Sequence, residues 1–513
     1  MILQLDYNAT NLALTLCAVG IAYCLSLAVY RLWLSAVSGF PGAFWPKVTF
    51  LYEFYYDWVH HGQYYRRIHE MHRQYGPIIR VSPVEIHVED PLFYHEMFVP
   101  ANVRKADAYP AFAQGTGFED VVNMCTTHEG HKAMRDPAVK LYSKVATHEP
   151  TVLGCVRAFC DRLKAERNTG RVLNITHACL SLAIDVATSV TFQGESNYLA
   201  DPTFNEKLLN VRTAGVSYVP LFANLPPPLR CVTLSVSQFL ASLSPDMREW
   251  DQKARGRIMH KELQEPTTKL QGRTKPWKRP ETALRVGQVI QENAIFNLSH
   301  TVTTLIAYLA LDNQRRRKLQ DELAAFWAER PRQVTSFNAL RGLPYLEACI
   351  KEGLRLGNPA LHRIPRVFPD DDMVYKDWVI PKRTPISMTP YYMHMDPTVF
   401  PDPDAFNPER WFGPGSEADG IMHKYFVPFG KGSRACVGEN IARLQIYFAI
   451  SQLYKPGAPE IELFGSDESD VRLVRGYIFP LPRLGSKGVR AIVRSPQPSE
   501  GGALWGACET RTC

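Results

Sequence analysis

A chain of 513 residues, 45% hydrophobic and 21% charged, has globular composition and enough length for an extensive core. The formal net charge of +7, from 58 basic and 51 acidic side chains, is too small and too scattered for a nucleic-acid binder. Eleven cysteines at irregular spacings, with no CxxC pair, argue against a disulfide framework or a structural zinc site; Cys160, Cys179 and Cys349 read as buried small hydrophobes.

The first element is apolar. Leu12 to Tyr30 carries no charge. As a helix at ~1.5 Å per residue it spans about 28 Å, close to the ~30 Å bilayer core. Arg31 and Trp33 follow it, so the positive-inside rule puts the following chain in the cytosol. A cleaved signal peptide is the rival reading, but the stretch is long and no basic segment precedes it. Residues 1–36 are therefore expected to be a single-pass anchor. "GFPGAFWP" (39–46) then reads as a stiff linker.

The body follows. A helix is expected over Gly62 to Tyr75, then two short strands, "PIIRVSP" and "VEIHVED", turning around Pro83. From about His128 to Leu354 the periodicity is helical. Residues 265–280, with Pro, Gly and basic side chains, read as an exposed loop between helices. Past Arg355 come short extended pieces, a helix from Glu439 to Leu453 and strands to about Val493. The expectation is a mainly α domain with a minor β-sheet region over 37–495, and a disordered tail over 496–513.

Chemistry concentrates at "FGKGSRACVG" (429–438). Gly430, Gly432 and Gly438 permit backbone conformations that other residues resist, and such a loop can aim several N–H groups at one anion. An iron-bound thiolate at Cys436 is such an anion, and hydrogen bonds to it would tune its electron donation. The helix starting near Glu439 adds the positive end of its dipole.

This stretch resembles the haem-binding signature of the cytochrome P-450 haem-thiolate monooxygenases, Phe-Gly-x-Gly-x-Arg-x-Cys-x-Gly, at every specified position. The resemblance implies the fold of that family, with haem as cofactor and Cys436 as its metal ligand. Phe429, Gly430, Arg434 and Gly438 are implied cofactor contacts. "EGLR" (352–355) and Arg410 in "FNPERW" are similar to the family's buried Glu–Arg–Arg element, with Trp411 where Phe is usual. "HKAMR" resembles Trp-x-x-x-Arg with His131 replacing Trp, which implies His131 and Arg135 at haem propionates. Arg366 is a further propionate candidate, with Arg363 as rival.

The helix "NAIFNLSHTVTTLIAYLAL" (293–311) departs from the family pattern. Aligned with Ala-Gly-x-Asp/Glu-Thr-Thr, it puts Thr303 at the threonine that steadies oxygen, Val302 at the acid and His300 at the glycine. With no acid at 302, His300 or a water on Thr303 is the expected proton source. Val302 also motivates an alternative, a haem-thiolate isomerase or dehydratase needing neither O2 nor NADPH; a non-catalytic haem protein is the third reading.

The resemblance covers roughly residues 40–495. It is strongest to fungal secondary-metabolism members of the trichodiene oxygenase type, and implies a lipophilic substrate, terpenoid or related. It further implies O2, electrons from an NADPH–cytochrome reductase, and a place in the endoplasmic reticulum membrane facing the cytosol. Lys431 is a candidate docking residue for the reductase. The substrate pocket is expected around Phe112 to Phe118, 295–303, Pro359 to His362 and Tyr477 to Phe479.

Overall fold

The computed structural model describes residues 2–110, 122, 125–192, 197–217, 294–330, 336–357, 361–416, 420–477 and 479–496. The expected pocket segment 112–118, Pro359, the 265–280 loop and nearly all of the tail lie outside them.

Helix α1 (Ile2–Val29) continues into a π-helical turn (Tyr30–Leu34). The stretch Thr10–Leu34 is long and apolar enough to cross a membrane, and its most apolar window has nothing buried against the body. The Gly- and Pro-rich segment after it is no free linker. It contains a short helix, Phe44–Val48, and is strapped to the body by Arg80. That guanidinium is fully buried and donates to the carbonyls of Arg31 (2.7 Å), Val37 (3.4 Å), Lys47 (3.3 Å), Ser82 (3.3 Å) and Pro83 (2.5 Å). The charge is desolvated but hydrogen-bonded around its whole fork, which makes the burial tolerable. Gly42 allows the approach: a Cβ there would stand 2.8 Å from the Arg80 carbonyl oxygen.

The expected helix is α2 (Tyr64–Tyr75), and the hairpin is β1 (Ile78–Arg80) with β2 (Ile86–Val88), antiparallel with Ile78 opposite Val88. Next come α3 (Pro91–Met97), β3 (Asp107–Ala108), α4 (His128–Tyr142), α5 (Val145–Ala165), β4 (Leu173–Asn174), α6 (Ile175–Phe192) and α7 (Glu206–Val216). A second π-helical turn, Ala294–Leu298, leads into α8 (Ser299–Leu311), then α9 (Asn313–Ala328) and α10 (Pro344–Leu356). Strands β5 (Arg366–Val367), β6 (Met373–Tyr375), β7 (Trp378–Ile380) and β8 (Pro385–Ser387) precede α11 (Glu439–Leu453), whose limits match the sequence expectation. Short strands close the chain: β9 (Glu460–Leu463), β10 (Arg475–Gly476), β11 (Pro480–Leu481) and β12 (Arg490–Arg494).

One sheet runs β1-β2-β8-β5-β3 and so joins both ends of the sequence; another runs β4-β12-β9. The main core lies among α5, α6, α8 and α11, which pack on one another. α8 buries nearly every side chain, Val302, Leu305 and Ile306 among them, so it cannot show a one-sided apolar stripe. Start signals are conventional: the Asp312 side chain accepts from the Arg315 amide (2.9 Å) at the head of α9, and Thr127 accepts from Gly130 (3.2 Å) at the head of α4.

Candidate functional site

The loop from Phe429 to Gly438 lies against the end of α3. Gly430 and Gly432 have φ of 67° and 76°, conformations that side chains resist. At Gly432 there is a second reason: a Cβ would stand 2.7 Å from the Val99 carbonyl oxygen, while the Ser433 amide donates to that same oxygen (3.1 Å). The Cys436 amide donates to the Phe429 carbonyl (2.8 Å), which turns the chain back on itself and sets the direction of the thiol. Arg443 lies over the Phe429 ring (5.0 Å) and pairs with Glu439 (2.9 Å).

Burial is the main influence on the Cys436 thiol and raises its pKa; the amides of Gly438 and Glu439 and the Arg135 charge pull the other way. Yet the side chain has exposed surface. Both are true of a sulfur facing a recess inside the protein rather than bulk water.

Four basic groups gather in this region. His131 is buried, and burial, followed by the charges of Arg434, Arg135 and Arg366, lowers its pKa to about 3. Burial, then Arg434, lowers Arg366 to about 9. Arg434 donates to the carbonyls of Ala106 (3.1 Å), Cys125 (2.9 Å) and Thr126 (2.9 Å). Arg135 donates through Nε to the Ser433 carbonyl (3.2 Å), while its Nη1 is buried with no partner among the described residues. Among the described residues none of these arginines has a carboxylate within 4.0 Å. Arg363, the rival of Arg366, is committed elsewhere: its guanidinium pairs with Glu53 and Glu85, both at 2.6 Å.

Three arginines and a neutral histidine, beside a recessed thiol and short of counter-charge, fit a dianionic group carrying a metal. Haem has that chemistry: two propionates for the cations and an iron for the sulfur.

Behind the loop, Glu352 and Arg355 are completely buried. Arg355 donates to the carboxylate in a fork (2.7 and 3.0 Å), and Arg410 (3.0 Å) and Trp411 Nε1 (3.1 Å) also donate to it. Trp411 thus replaces an apolar ring with one that adds a hydrogen bond to the buried carboxylate.

The oxygen-side expectations fare differently. Thr303 is buried and its hydroxyl donates to the Ser299 carbonyl (2.8 Å); the Cys179 thiol of α6 lies beside it. His300 bonds backbone at Val471, its Nε2 is buried without a partner among the described residues, and burial lowers its pKa to about 4. Ser299, His300 and Thr303 line a hollow of about 550 Å³, shared with His177 and Leu180 of α6, Phe204 and the 475–490 segment. None of Cys436, His131, Arg135, Arg366 and Arg434 lines it. Thr303 and His300 thus border α6 and the chain after Asp470. Polar residues at neighbouring helix positions look interchangeable until the helix phase is known. Of the expected pocket segments, two do meet: Phe296 stacks on Phe479 with ring centres 4.9 Å apart.

A model of the family described as Cytochrome P450 matches residues 44–241 and 294–455. Curated relatives span nearly the whole chain. One is cytochrome P450 monooxygenase oblB of Cochliobolus heterostrophus, 32% identical over 94% of this chain and 96% of its own length. Another is fusicoccadiene C-8 hydroxylase of Phomopsis amygdali, 34% identical over 91% of this chain and 93% of its own length. A third is stellatic acid synthase of Emericella variicolor, 30% identical over 96% of this chain and 97% of its own length. With the signature loop, the buried Glu–Arg–Arg element and these matches together, the chain belongs to the cytochrome P450 family and is a haem-thiolate monooxygenase of the fungal secondary-metabolism type.

Proposed function

We propose that this protein hydroxylates a lipophilic terpenoid at the endoplasmic reticulum membrane, with electrons from NADPH delivered by a cytochrome reductase. The reaction converts substrate C–H, O2, two electrons and two protons into substrate C–OH and water. Cys436 would hold the haem iron, and Arg135, Arg366, Arg434 and His131 would hold its propionates. The observation carrying this is the set of basic groups with no carboxylate partner among the described residues around a recessed thiol. When bound, the haem supplies the oxygen-activating iron.

The protein's own residues do the rest. Amides at Gly438 and Glu439 stabilise the sulfur as an anion. The stacked Phe296 and Phe479 offer an apolar wall suited to a hydrocarbon skeleton, in line with relatives named for fusicoccadiene and stellatic acid. Exposed Lys431, 2.7 Å from His95 Nδ1, lies on the loop that carries the sulfur and suits an acidic redox partner. Thr10–Leu34 anchors the chain, with Arg31 on the cytosolic side.

The test is the carbon monoxide difference spectrum of the reduced protein in membranes. The red-shifted Soret band of a thiolate-bound haem is expected, and Cys436→Ser removes it. A wild-type protein without that band overturns the site. Product formed without NADPH and reductase would overturn the oxygenase chemistry and favour a redox-neutral reaction.

A further inference from the structure

The hollow of about 550 Å³ between α6, α7, the start of α8 and the chain after Asp470 is lined by none of the residues assigned to the haem. Its volume suits a small organic molecule. Leu180, Phe204, Phe296 and Leu481 supply apolar walls. Several of its polar side chains are already occupied. Arg171 pairs with Glu166 (3.0 Å), Asn174 donates to the Lys487 carbonyl (2.9 Å), and Arg475 donates through Nε to the Pro482 carbonyl (2.7 Å).

Three lining residues differ. His177 hydrogen-bonds through Nε2 to Asn210 Oδ1 (3.1 Å), and its Nδ1 is buried with no partner among the described residues. His300 is bonded to backbone at Val471, and its Nε2 is left in the same condition. Burial lowers the pKa of both rings below the ordinary value, so both are neutral at pH 7. The ring nitrogen that meets an oxygen carries the proton, which makes the other nitrogen of each ring an acceptor. Arg490 is the converse. Its Nη2 donates to the Gly465 carbonyl (3.0 Å), while its Nε, which can only donate, is buried with no partner among the described residues.

We infer that this hollow is a second ligand site, distinct from the Cys436 recess, for a lipophilic alcohol of the hydroxylated-terpenoid class. A hydroxyl donates and accepts at once, so it can give its proton to an imidazole nitrogen and take one from a guanidinium. A hydrocarbon does neither. A ketone only accepts and leaves both imidazoles bare. Water meets the hydrogen bonds but not the apolar walls. Buried polar atoms without partners are costly, and a bound alcohol recovers part of that cost. No covalent bond changes. The site rests on the hollow's own residues and not on the haem reading, although an alcohol is also what the proposed hydroxylation would release.

The experiment is equilibrium dialysis of the full chain with haem bound and an azole inhibitor saturating the iron, so that the haem pocket is closed. The probes are borneol, camphor and bornane, which carry an alcohol, a ketone and no oxygen on one terpenoid skeleton. Borneol is expected to bind at one equivalent per chain, about tenfold tighter than camphor or bornane, the scale of one hydrogen bond. His177→Leu and His300→Leu should each weaken borneol about tenfold and leave bornane unchanged. His300→Gln, which keeps an acceptor, should retain the preference. Camphor or bornane held as tightly as borneol, or no borneol held at all, overturns the inference, and so do leucine variants that keep the wild-type preference. The wild-type comparison of the three probes decides even if a variant fails to fold. A protein lacking the thiolate carbon monoxide band overturns the haem reading separately, and dialysis without the azole then still tests the hollow.

Discussion

The two sides of the site are built on opposite principles. On the sulfur side the backbone is fully spent. Cys436 is pinned through Phe429, Gly432 is wedged under Val99, and a buried carboxylate behind the loop takes hydrogen bonds from Arg355, Arg410 and Trp411. Along the helical stretch 294–311 several polar atoms are buried with no partner among the described residues, Asn297 Oδ1, Thr304 Oγ1 and His300 Nε2; near the sulfur, Arg135 Nη1 is left the same way. A metal–sulfur bond needs one geometry throughout the reaction, so everything near it can be fixed in advance. A face that meets water, oxygen and substrate in turn must keep hydrogen-bonding capacity in reserve, at a cost in stability that the rest of the core offsets.

The sharpest way to break this contrast is to unfix the sulfur side. Glu352→Gln leaves two buried guanidiniums without their counter-charge. The expected loss is about 3–5 kcal/mol, read as a shift of the denaturation midpoint. Along the helical stretch 294–311 the contrast requires the reverse sign: Asn297→Leu removes an unsatisfied acceptor and should not lower the midpoint. If Glu352→Gln and Asn297→Leu destabilise equally, the two sides do not differ in the way described.

A smaller effect tests the basic groups. Burial and the Arg434 charge already press on Arg366, which makes no ion pair of its own among the described residues and packs over the Phe98 ring (5.9 Å). Arg366→Leu therefore relieves repulsion in the haem-free protein while removing a charge-assisted bond to a propionate. Such a bond is worth roughly 1.5–3 kcal/mol, so haem should leave about ten- to a hundredfold faster, measured by transfer to a scavenging apoprotein. Unchanged haem retention would remove Arg366 from the site.

The contrast also explains what the sequence could announce. The sulfur loop was legible because its chemistry is local: three glycines, an arginine and a cysteine within ten residues leave few other readings. The Glu352–Arg355 pair was legible because three residues on a helix share a face, although only the fold brings Arg410 and Trp411 to it. The oxygen-side helix was not. Polar residues stand at 297, 299, 300, 301, 303 and 304, and counting by helical period cannot choose among them. The π-helical turn at Ala294–Leu298 takes up an extra residue and slips the faces by about 100° relative to an unbroken α-helix. The strap on Arg80 was equally hidden, since its carbonyl partners lie as far away as Arg31 and carry no side-chain signal.

The least of the expected effects is on pH dependence. His131 near the sulfur loop has its pKa lowered to about 3, and His300 in the other hollow to about 4, both chiefly by burial. A histidine held neutral in the folded state binds its proton more weakly there than in the unfolded chain, where the ordinary value is about 6.5. Stability is therefore complete above pH ~6.5 and drains away as pH falls toward the folded values, at roughly 1.4 kcal/mol per pH unit for each such group. Denaturation midpoints between pH 7 and 4 measure the slope, and His131→Gln and His300→Gln should each flatten it by one group in the haem-free protein. Haem separates the two. Propionates beside His131 favour its charged form and raise its folded pKa, so with haem bound His131→Gln should change the slope little. His300, facing the other hollow, should contribute the same slope with or without haem. Equal responses of the two histidines to haem would mean that both, or neither, lie beside it.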